Sequence, residues 1–399
     1  MTGNIEVVVI GGGYAGVMAA NRLTQRADVS VTLINPRPSF VDRIRLHQMV
    51  GGTGEAVVDY RKVLAEKVRL VVDTVARIDA AGCAVTLVSG GTVGYDHFVY
   101  AVGSGSAAPS VPGAAEFAYP IAGLEEAQRL RPVLDAEAVT APVTVVGGGP
   151  TGIETAAELA ERGRTVTLVC GGPLGPSLHP RGRRSVAERL TALGVTVLDG
   201  PDTKVTAVTR DAVRLTDGRE LSSAVTIWTA GFGVPDLAAR SGLRTDALGR
   251  LITDDTLTSV DDTRIVAAGD SAAPSDLPFR MSCQAAVQLG PQAAETVLSR
   301  IAGEQPVPVE VGFVGTCISL GRRAGIFQVM TKDDTARKYY IGGLPGAKVK
   351  ELICRSIPWQ LSYEARKPGA RTWWTKDAKR RELLQSELGQ KRTTAERAA

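Results

Sequence analysis

The chain has 399 residues, 44% hydrophobic and 22% charged, the composition of a folded protein of two or three domains. That excludes a disordered chain, a disulfide-stapled miniprotein and a polytopic membrane protein. The net charge of +4 hides an asymmetry: residues from 309 onward hold 18 Lys and Arg against 9 Asp and Glu, whereas the first 308 hold 28 against 33.

The chain opens with an apolar run, Ile5 to Ile10, that enters Gly11-Gly12-Gly13-Tyr14-Ala15-Gly16 and then a segment rich in small residues up to Leu23. This is a buried strand, a glycine turn and a helix, followed by a second strand over 29–34. The first glycine makes the turn, the second lets backbone approach a pyrophosphate, and the third lets the helix sit against the strand. The free N–H groups at the helix start, with the helix dipole, then hold phosphate. No basic segment precedes an apolar one at the start, which predicts no signal peptide.

Short strands are expected over 70–78 and 84–88 in a hairpin-rich insert, then an apolar strand from Tyr95-Asp96 to Gly103-Ser104. Val143 to Val146 then repeats the opening design: Gly147-Gly148-Gly149-Pro150-Thr151-Gly152, a helix beginning Ile153-Glu154, and a strand over 165–169. Two such units in matching context are strong evidence for two dinucleotide sites. Further strands are expected over 205–208, 212–215 and 225–230, the last closed by Gly231. Ala267-Ala268-Gly269-Asp270 forms a third glycine–acid turn, and a helix follows over 283–301. Pro306 and Pro308 mark a linker to a basic end that holds three of the four tryptophans.

These motifs resemble those of the two-dinucleotide flavoproteins, which bind FAD in one Rossmann unit and NAD(P)H in a second unit inserted into it. The resemblance covers residues 5 to about 300. It implies an α/β fold of two Rossmann-like domains: an FAD domain of 1–112 and 245–308, an NAD(P)H domain of 113–244, and a C-terminal α+β region of 309–399. The cofactors implied are FAD and NADH or NADPH. The residues it assigns to them are Gly11, Gly13, Tyr14, Ala15, Gly16, Asn35, Arg37, Arg43, Val75, Ala101, Gly103, Gly269 and Asp270, with Gly147, Gly149, Pro150, Thr151, Gly152, Ile153, Glu154 and Gly231. Two departures stand out. The strand after the first glycine turn ends in Asn35 where the family carries an acid, and an amide carbonyl is a weaker acceptor for ribose hydroxyls. The equivalent strand of the second unit ends Val169-Cys170-Gly171-Gly172, with no acid for NADH and no adjacent arginine for the NADPH phosphate. Arg181, Arg183 and Arg184 lie further on, so the choice of nucleotide stays open.

The disulfide reductases of this family carry two cysteines where this chain has Asp42-Arg43-Ile44-Arg45-Leu46-His47, so disulfide chemistry there is excluded. The five cysteines, at 83, 170, 283, 317 and 354, have no metal-type spacing, predicting free thiols, a reducing compartment and no metal. Beyond Asp270, Cys283-Gln284-Ala285-Ala286-Val287-Gln288 is similar to the A-Q-x-A-x-Q of type II NADH dehydrogenases, where that helix start faces flavin and quinone. The resemblance therefore implies a dehydrogenase similar to these and to the ferroptosis-suppressor-like quinone reductases. NAD(P)H would reduce FAD, and FAD would reduce a quinone. The alternatives are a reductase for a ferredoxin-like carrier and a slow redox-sensing flavoprotein similar to apoptosis-inducing factor.

Gln284 and Gln288, four apart on one helix face, are the expected quinone contacts, and Glu154 the expected nicotinamide-positioning group. His47 is a candidate to orient or protonate an acceptor near neutral pH. The basic end offers Lys348, Lys350, Arg355, Trp359, Arg366, Lys367, Arg371, Trp373, Trp374 and Lys379-Arg380-Arg381 to an anionic membrane surface. The other reading is tryptophans packed as core or at a homodimer contact. No nucleic-acid motif accompanies the charge. The expected location is cytoplasmic, with peripheral attachment to the inner face of the membrane as the alternative.

Overall fold

The computed structural model describes residues 4–377, 379, 380 and 382. Two five-stranded, all-parallel sheets dominate it. The first runs Ile265–Ala267, His97–Tyr100, Ile5–Ile10, Val29–Asn35, Arg69–Val72. The second runs Ala118–Pro120, Val225–Trp228, Val143–Val146, Val166–Val169, Thr196–Leu198. Parallel sheets need both faces covered, and the near-continuous Val and Ile runs of the central strands answer that need. The strand order reverses beside each opening strand, and in such sheets ligands bind outside the carboxyl ends at that point.

The second sheet is built between two neighbouring strands of the first, His97–Tyr100 and Ile265–Ala267. The two crossing segments pair with each other, Gly105-Ser106 antiparallel to Phe232-Gly233. The expected run over 70–78 divides. Arg69–Val72 joins the edge of the first parallel sheet, and Val75–Asp79 turns into a three-stranded antiparallel sheet with Ala84–Leu87 and Thr92–Gly94. Residues 73 and 74 between them break the apolar run. The helix expected over 283–301 is present at those limits, Cys283–Ile301, and lies along the first-unit helix Tyr14–Leu23.

The C-terminal region is a three-stranded antiparallel sheet, Gly315–Ser319, Gly325–Met330 and Ala336–Ile341, with the helix Gly343–Arg366 packed on it. That helix continues through Pro358 and buries Gly346, Lys350, Cys354, Ile357, Leu361 and Glu364, a 3–4 spacing that keeps one face inward. Ile357 and Leu361 join the first unit's core, each stabilising by roughly 1.5–3 kcal/mol. No described helix is long and apolar enough to cross a membrane.

Candidate active site

At the carboxyl end of the first sheet lies a cleft of about 700 Å³ including its open mouth. Its floor is the first glycine turn. Gly11 has φ +96°, a left-handed conformation suited to glycine, and a Cβ on Gly16 would collide with the Gly11 carbonyl. Around a Cβ on Gly13 there is open space, so nothing in the protein occupies the position from which a phosphate would approach the backbone. Tyr14, Ala15, Asn35, Arg37, Arg43, Ala101, Gly103, Gly269 and Asp270 line the same cleft. Of the first-unit residues expected there, Gly16 supports the turn from behind and Val75 lies elsewhere, buried in the core of the hairpin sheet.

Asp270 is held at the cleft wall from two sides. Its Oδ2 accepts from Ser104 Oγ at 2.7 Å and its Oδ1 from the Ser282 N–H at 3.0 Å. Arg43 Nη1 stands 3.8 Å from the carboxylate and also donates to Ser104 Oγ, while Arg43 Nε donates to the Ala122 carbonyl. Asn35 braces the turn: its Oδ1 accepts from the Gly12 N–H at 2.9 Å and its Nδ2 donates to the Arg37 carbonyl at 2.8 Å. That leaves one lone pair on the amide oxygen for a ribose. Tyr14 donates to Asp42 at 2.7 Å, and burial with the Asp42 charge holds its phenol protonated.

The second glycine turn repeats the first. Gly147 has φ +123°, a Cβ on Gly152 would strike the Gly147 carbonyl, and Gly149 is open where Gly13 is open. Pro150 and Thr151 begin the helix Pro150–Glu161, and Gly231, φ +84°, follows the neighbouring strand, whose extension is tied in by Thr229 Oγ1 donating to the Val146 carbonyl. Ile153 departs from the expectation: its side chain is fully buried in the second unit's core and its N–H donates to the Gly149 carbonyl. Arg183 donates back to the Leu178 carbonyl from the helix Pro180–Ala192.

Glu154 occupies a buried ionic knot that the sequence did not disclose. Lys350, from the C-terminal helix, lies 2.8 Å from its Oε1, which also accepts from the Ser319 N–H at 2.9 Å. His47 Nδ1 lies 3.6 Å from Oε2. Burial pushes the Glu154 carboxyl up, but Lys350, His47 and the two hydrogen bonds outweigh it and hold the group below its ordinary value. Burial pushes Lys350 down, and Glu154 more than compensates. His47 is 4% exposed, and burial lowers its pKa to about 4. It is a neutral ring at pH 7, which does not fit the near-neutral proton donor expected there. Three of the scattered cysteines, Cys283, Cys317 and Cys354, come within electrostatic range of Lys350, and burial keeps them protonated, Cys283 and Cys354 pushed up to about 12.

The glutamines of the long helix have a different task from the one expected. Gln288 donates to the Gly312 carbonyl at 3.0 Å and accepts from the Thr375 N–H at 3.0 Å and the Gly312 N–H at 3.3 Å. Gln292 exchanges two hydrogen bonds of 2.8 Å with the backbone of Glu310. Gln284, in the amide orientation that satisfies both groups, accepts from the Val314 N–H and donates to the Gly315 carbonyl, each at 3.1 Å. Three amides one turn apart thus grip alternate residues of an extended segment, as a neighbouring strand would. The rise of four helical residues, about 6 Å, matches that of two strand residues, about 6.6 Å. The signal was present as Gln at i, i+4 and i+8, but spacing alone does not say whether an amide faces backbone or ligand.

Of the basic end, Lys350, Arg371 and Arg380 are committed internally. Arg371 stacks on Trp359, Tyr363 and Trp373, and Arg380 donates to the Pro274 and Leu277 carbonyls and stacks on Phe279. Trp373 donates to the buried Glu364, and Trp374 stacks under Arg22. Leu344, Lys348, Leu352, Arg355, Trp359 and Arg366 share the exposed face of the C-terminal helix. Arg381 lies outside the described residues.

Residues 5–295 match the model of the pyridine nucleotide-disulphide oxidoreductase family. An NADH dehydrogenase-like protein of Mycobacterium tuberculosis is 30% identical over 378 residues, covering 87% of this chain and 92% of its own. The type II NADH:quinone oxidoreductase Ndh of the same organism is 30% identical over 350 residues, 76% of this chain and 74% of the relative. The fold is shared with NDH2 of Plasmodium falciparum in complex with NADH, at TM-score 0.74 and 16% identity over 93% of this chain and 98% of that one. It is shared too with the sulfide:quinone oxidoreductase of Aquifex aeolicus, at TM-score 0.75 and 20% identity over 92% and 93% of the two chains. The chain is an enzyme of the pyridine nucleotide-disulphide oxidoreductase family, with the two-unit fold and the relatives that the paired glycine turns led one to expect.

Proposed function

We propose that this enzyme oxidises a nicotinamide dinucleotide through FAD and passes two electrons to a quinone. The observation that carries the reading is the pair of equivalent glycine turns, each at the carboxyl end of a parallel sheet, with Gly13 in one and Gly149 in the other open to space. FAD belongs to the first unit and the nicotinamide nucleotide to the second, over the domain limits 1–112 with 245–308, 113–244 and 309–399. The bound cofactors supply hydride acceptance and electron transfer, and the chain supplies position and charge. Arg37 and Arg43 are the cations lining the cleft, suited to a pyrophosphate. Asp270, held by Ser104 and Ser282, accepts from ribitol hydroxyls. Glu154, kept ionised by Lys350, fixes a carboxylate near the nicotinamide.

The quinone reading draws on the type II relatives, and also on the demethylphylloquinone reductase of Synechocystis, 27% identical over 79% of this chain and 84% of that one. A quinone held in a lipid bilayer suits the exposed face of the C-terminal helix, where leucine and tryptophan alternate with cations. The test is anaerobic. Mixing yellow protein with NADH, and separately with NADPH, should bleach the flavin with at least one of them, and a short-chain quinone should restore it. Bleaching without reoxidation by quinone would move the acceptor to a protein carrier, and no bleaching with either nucleotide would overturn the reading. Loss of liposome binding on changing Leu352 and Trp359 to Ser would support the membrane contact, and retained binding would remove it.

A further inference from the structure

We propose that Asp199 selects the nicotinamide nucleotide, accepting from the 2′-hydroxyl of the adenosine ribose and repelling a 2′-phosphate. This rests on the reading of the second unit as the nicotinamide site. In such a unit the ribose sits at the carboxyl end of the strand that follows the glycine-turn helix, where an acid marks a site for the unphosphorylated nucleotide.

Here that strand, Val166–Val169, ends at Cys170, a poor acceptor. The registers fix what stands in its place. Ile10 pairs with Ile34 and Val146 with Val169, so one step on Asn35 and Cys170 are counterparts. In the first unit Asn35 is itself paired with Val72 of the next strand. In the second, Val169 pairs with Leu198, which brings Asp199 beside Cys170, and the Cys170 N–H donates to the Leu198 carbonyl at 2.8 Å. The two units have exchanged the polar position: amide at the end of the fourth strand and valine beside it on the edge strand in one, thiol after the fourth strand and carboxylate beside it after the edge strand in the other.

Register partners in a parallel ladder point to the same face. Cys170 points to the glycine turn, since a Cβ on Gly148 would come within 2.8 Å of the Cys170 Cβ. Asp199 therefore faces the same side, one strand spacing away, about 4.8 Å. Its charge reaches Cys170, where it adds to the burial that pushes the thiol up to about 12. The carboxylate is exposed and makes no hydrogen bond or ion pair among the described residues. Its loop is nonetheless fixed: the Gly200 N–H donates to the Gly172 carbonyl at 2.8 Å, and the Gly171 N–H to Thr203 Oγ1 at 3.3 Å. Lys204 is the competing group, its stem against Gly171, and Asp202 on the same loop adds to the negative side.

The test is equilibrium binding to the FAD-loaded full chain, by calorimetry, of ADP-ribose and of 2′-phospho-ADP-ribose, neither of which reduces flavin. Wild type should bind ADP-ribose at least about tenfold more tightly, the scale of one hydrogen bond to a charged group. Asp199→Asn should lose about tenfold for ADP-ribose and close the gap to the phosphorylated ligand. Lys204→Ala should leave ADP-ribose binding unchanged. An unaltered ratio in Asp199→Asn would overturn the assignment, as would a wild type that prefers the 2′-phosphate and loses that preference in Lys204→Ala. Binding of neither ligand by wild type would overturn the nucleotide reading of the second unit, and Asp199's role with it.

Discussion

The two glycine-turn helices start alike and are anchored differently. The first, Tyr14–Leu23, is buried along its whole length and relies on apolar contact, with one ionic knot at its far end. There Arg22 meets Glu364 at 2.5 Å and Glu295 at 2.7 Å and donates to the Arg371 carbonyl. The second, Pro150–Glu161, presents a row of acids on one face: Glu154 to Lys350 and His47, Glu158 to Thr53, Glu161 to Arg189 and the Arg322 N–H. The repeat therefore extends to the ligand-facing end of each unit and stops there. How each unit is fastened to the rest of the chain is separate chemistry, apolar contact closed by one buried ionic knot in one and charge graded from buried to partly exposed in the other.

The largest effects should come from the two buried knots, because removing one member of a buried pair costs about 3–5 kcal/mol. Glu364→Leu leaves Arg22 facing a half-exposed Glu295 and the Trp373 indole N–H without an acceptor. Lys350→Met leaves Glu154 buried with a neutral histidine. Both should lower the urea midpoint by comparable amounts, and the second should be largely rescued by Glu154→Gln in the same chain. A Lys350→Met protein as stable as wild type would break the comparison, since the second unit would then be held by something other than its acids.

His47 gives the comparison a pH signature. Its folded pKa, about 4, lies below the ordinary 6.5, so between these values the unfolded chain binds a proton that the folded one refuses. Stability attributable to His47 is therefore full above pH 6.5 and is lost as pH falls towards 4, by about 3 kcal/mol in all. Urea unfolding of His47→Gln should show a shallower acid dependence than wild type over that window. Parallel curves would mean that the ring is not buried uncharged.

Gln288→Leu tests the ladder that fastens the segment around Gly312 to the long helix. It leaves the Gly312 and Thr375 N–H groups without their acceptor, and each buried unsatisfied group costs about 1–3 kcal/mol. The expected result is lower stability with flavin reduction by nucleotide preserved. Normal stability with selective loss of quinone reduction would return Gln288 to the substrate site.

The legible parts of this molecule were those in which local pattern and tertiary role coincide. The glycine turns, the Asp270 turn and the limits of Cys283–Ile301 follow from short-range sterics and from one uninterrupted apolar face. What stayed hidden depended on pairing between distant residues. Lys350 stands in a basic stretch and reads as solvated, yet it is buried because Glu154, on a separate element, supplies its counter-charge. His47 looks like a titrating ring until its burial is known. The interaction of Cys283, Cys317 and Cys354 is equally invisible, since three separate elements deliver one thiol each. Asp199 is not legible in the sequence because its significance lies in strand register, and register belongs to the sheet.

The smallest effect should fall at the outer end of the acid row. Glu161 meets Arg189 at 3.2 Å with both side chains partly in water, and it also accepts from the Arg322 N–H. An ion pair in that setting is worth about 0.2–1 kcal/mol and is screened by salt. Glu161→Gln retains one acceptor for the backbone N–H, so the loss should be below about 1 kcal/mol at low salt and should shrink at high salt. A loss as large as that of Lys350→Met would make the row one cooperative unit. A small, salt-sensitive loss would confirm the gradient, with the second helix fastened at its ligand end and only trimmed at its far end, the reverse of the first helix, whose ionic knot lies at the tail.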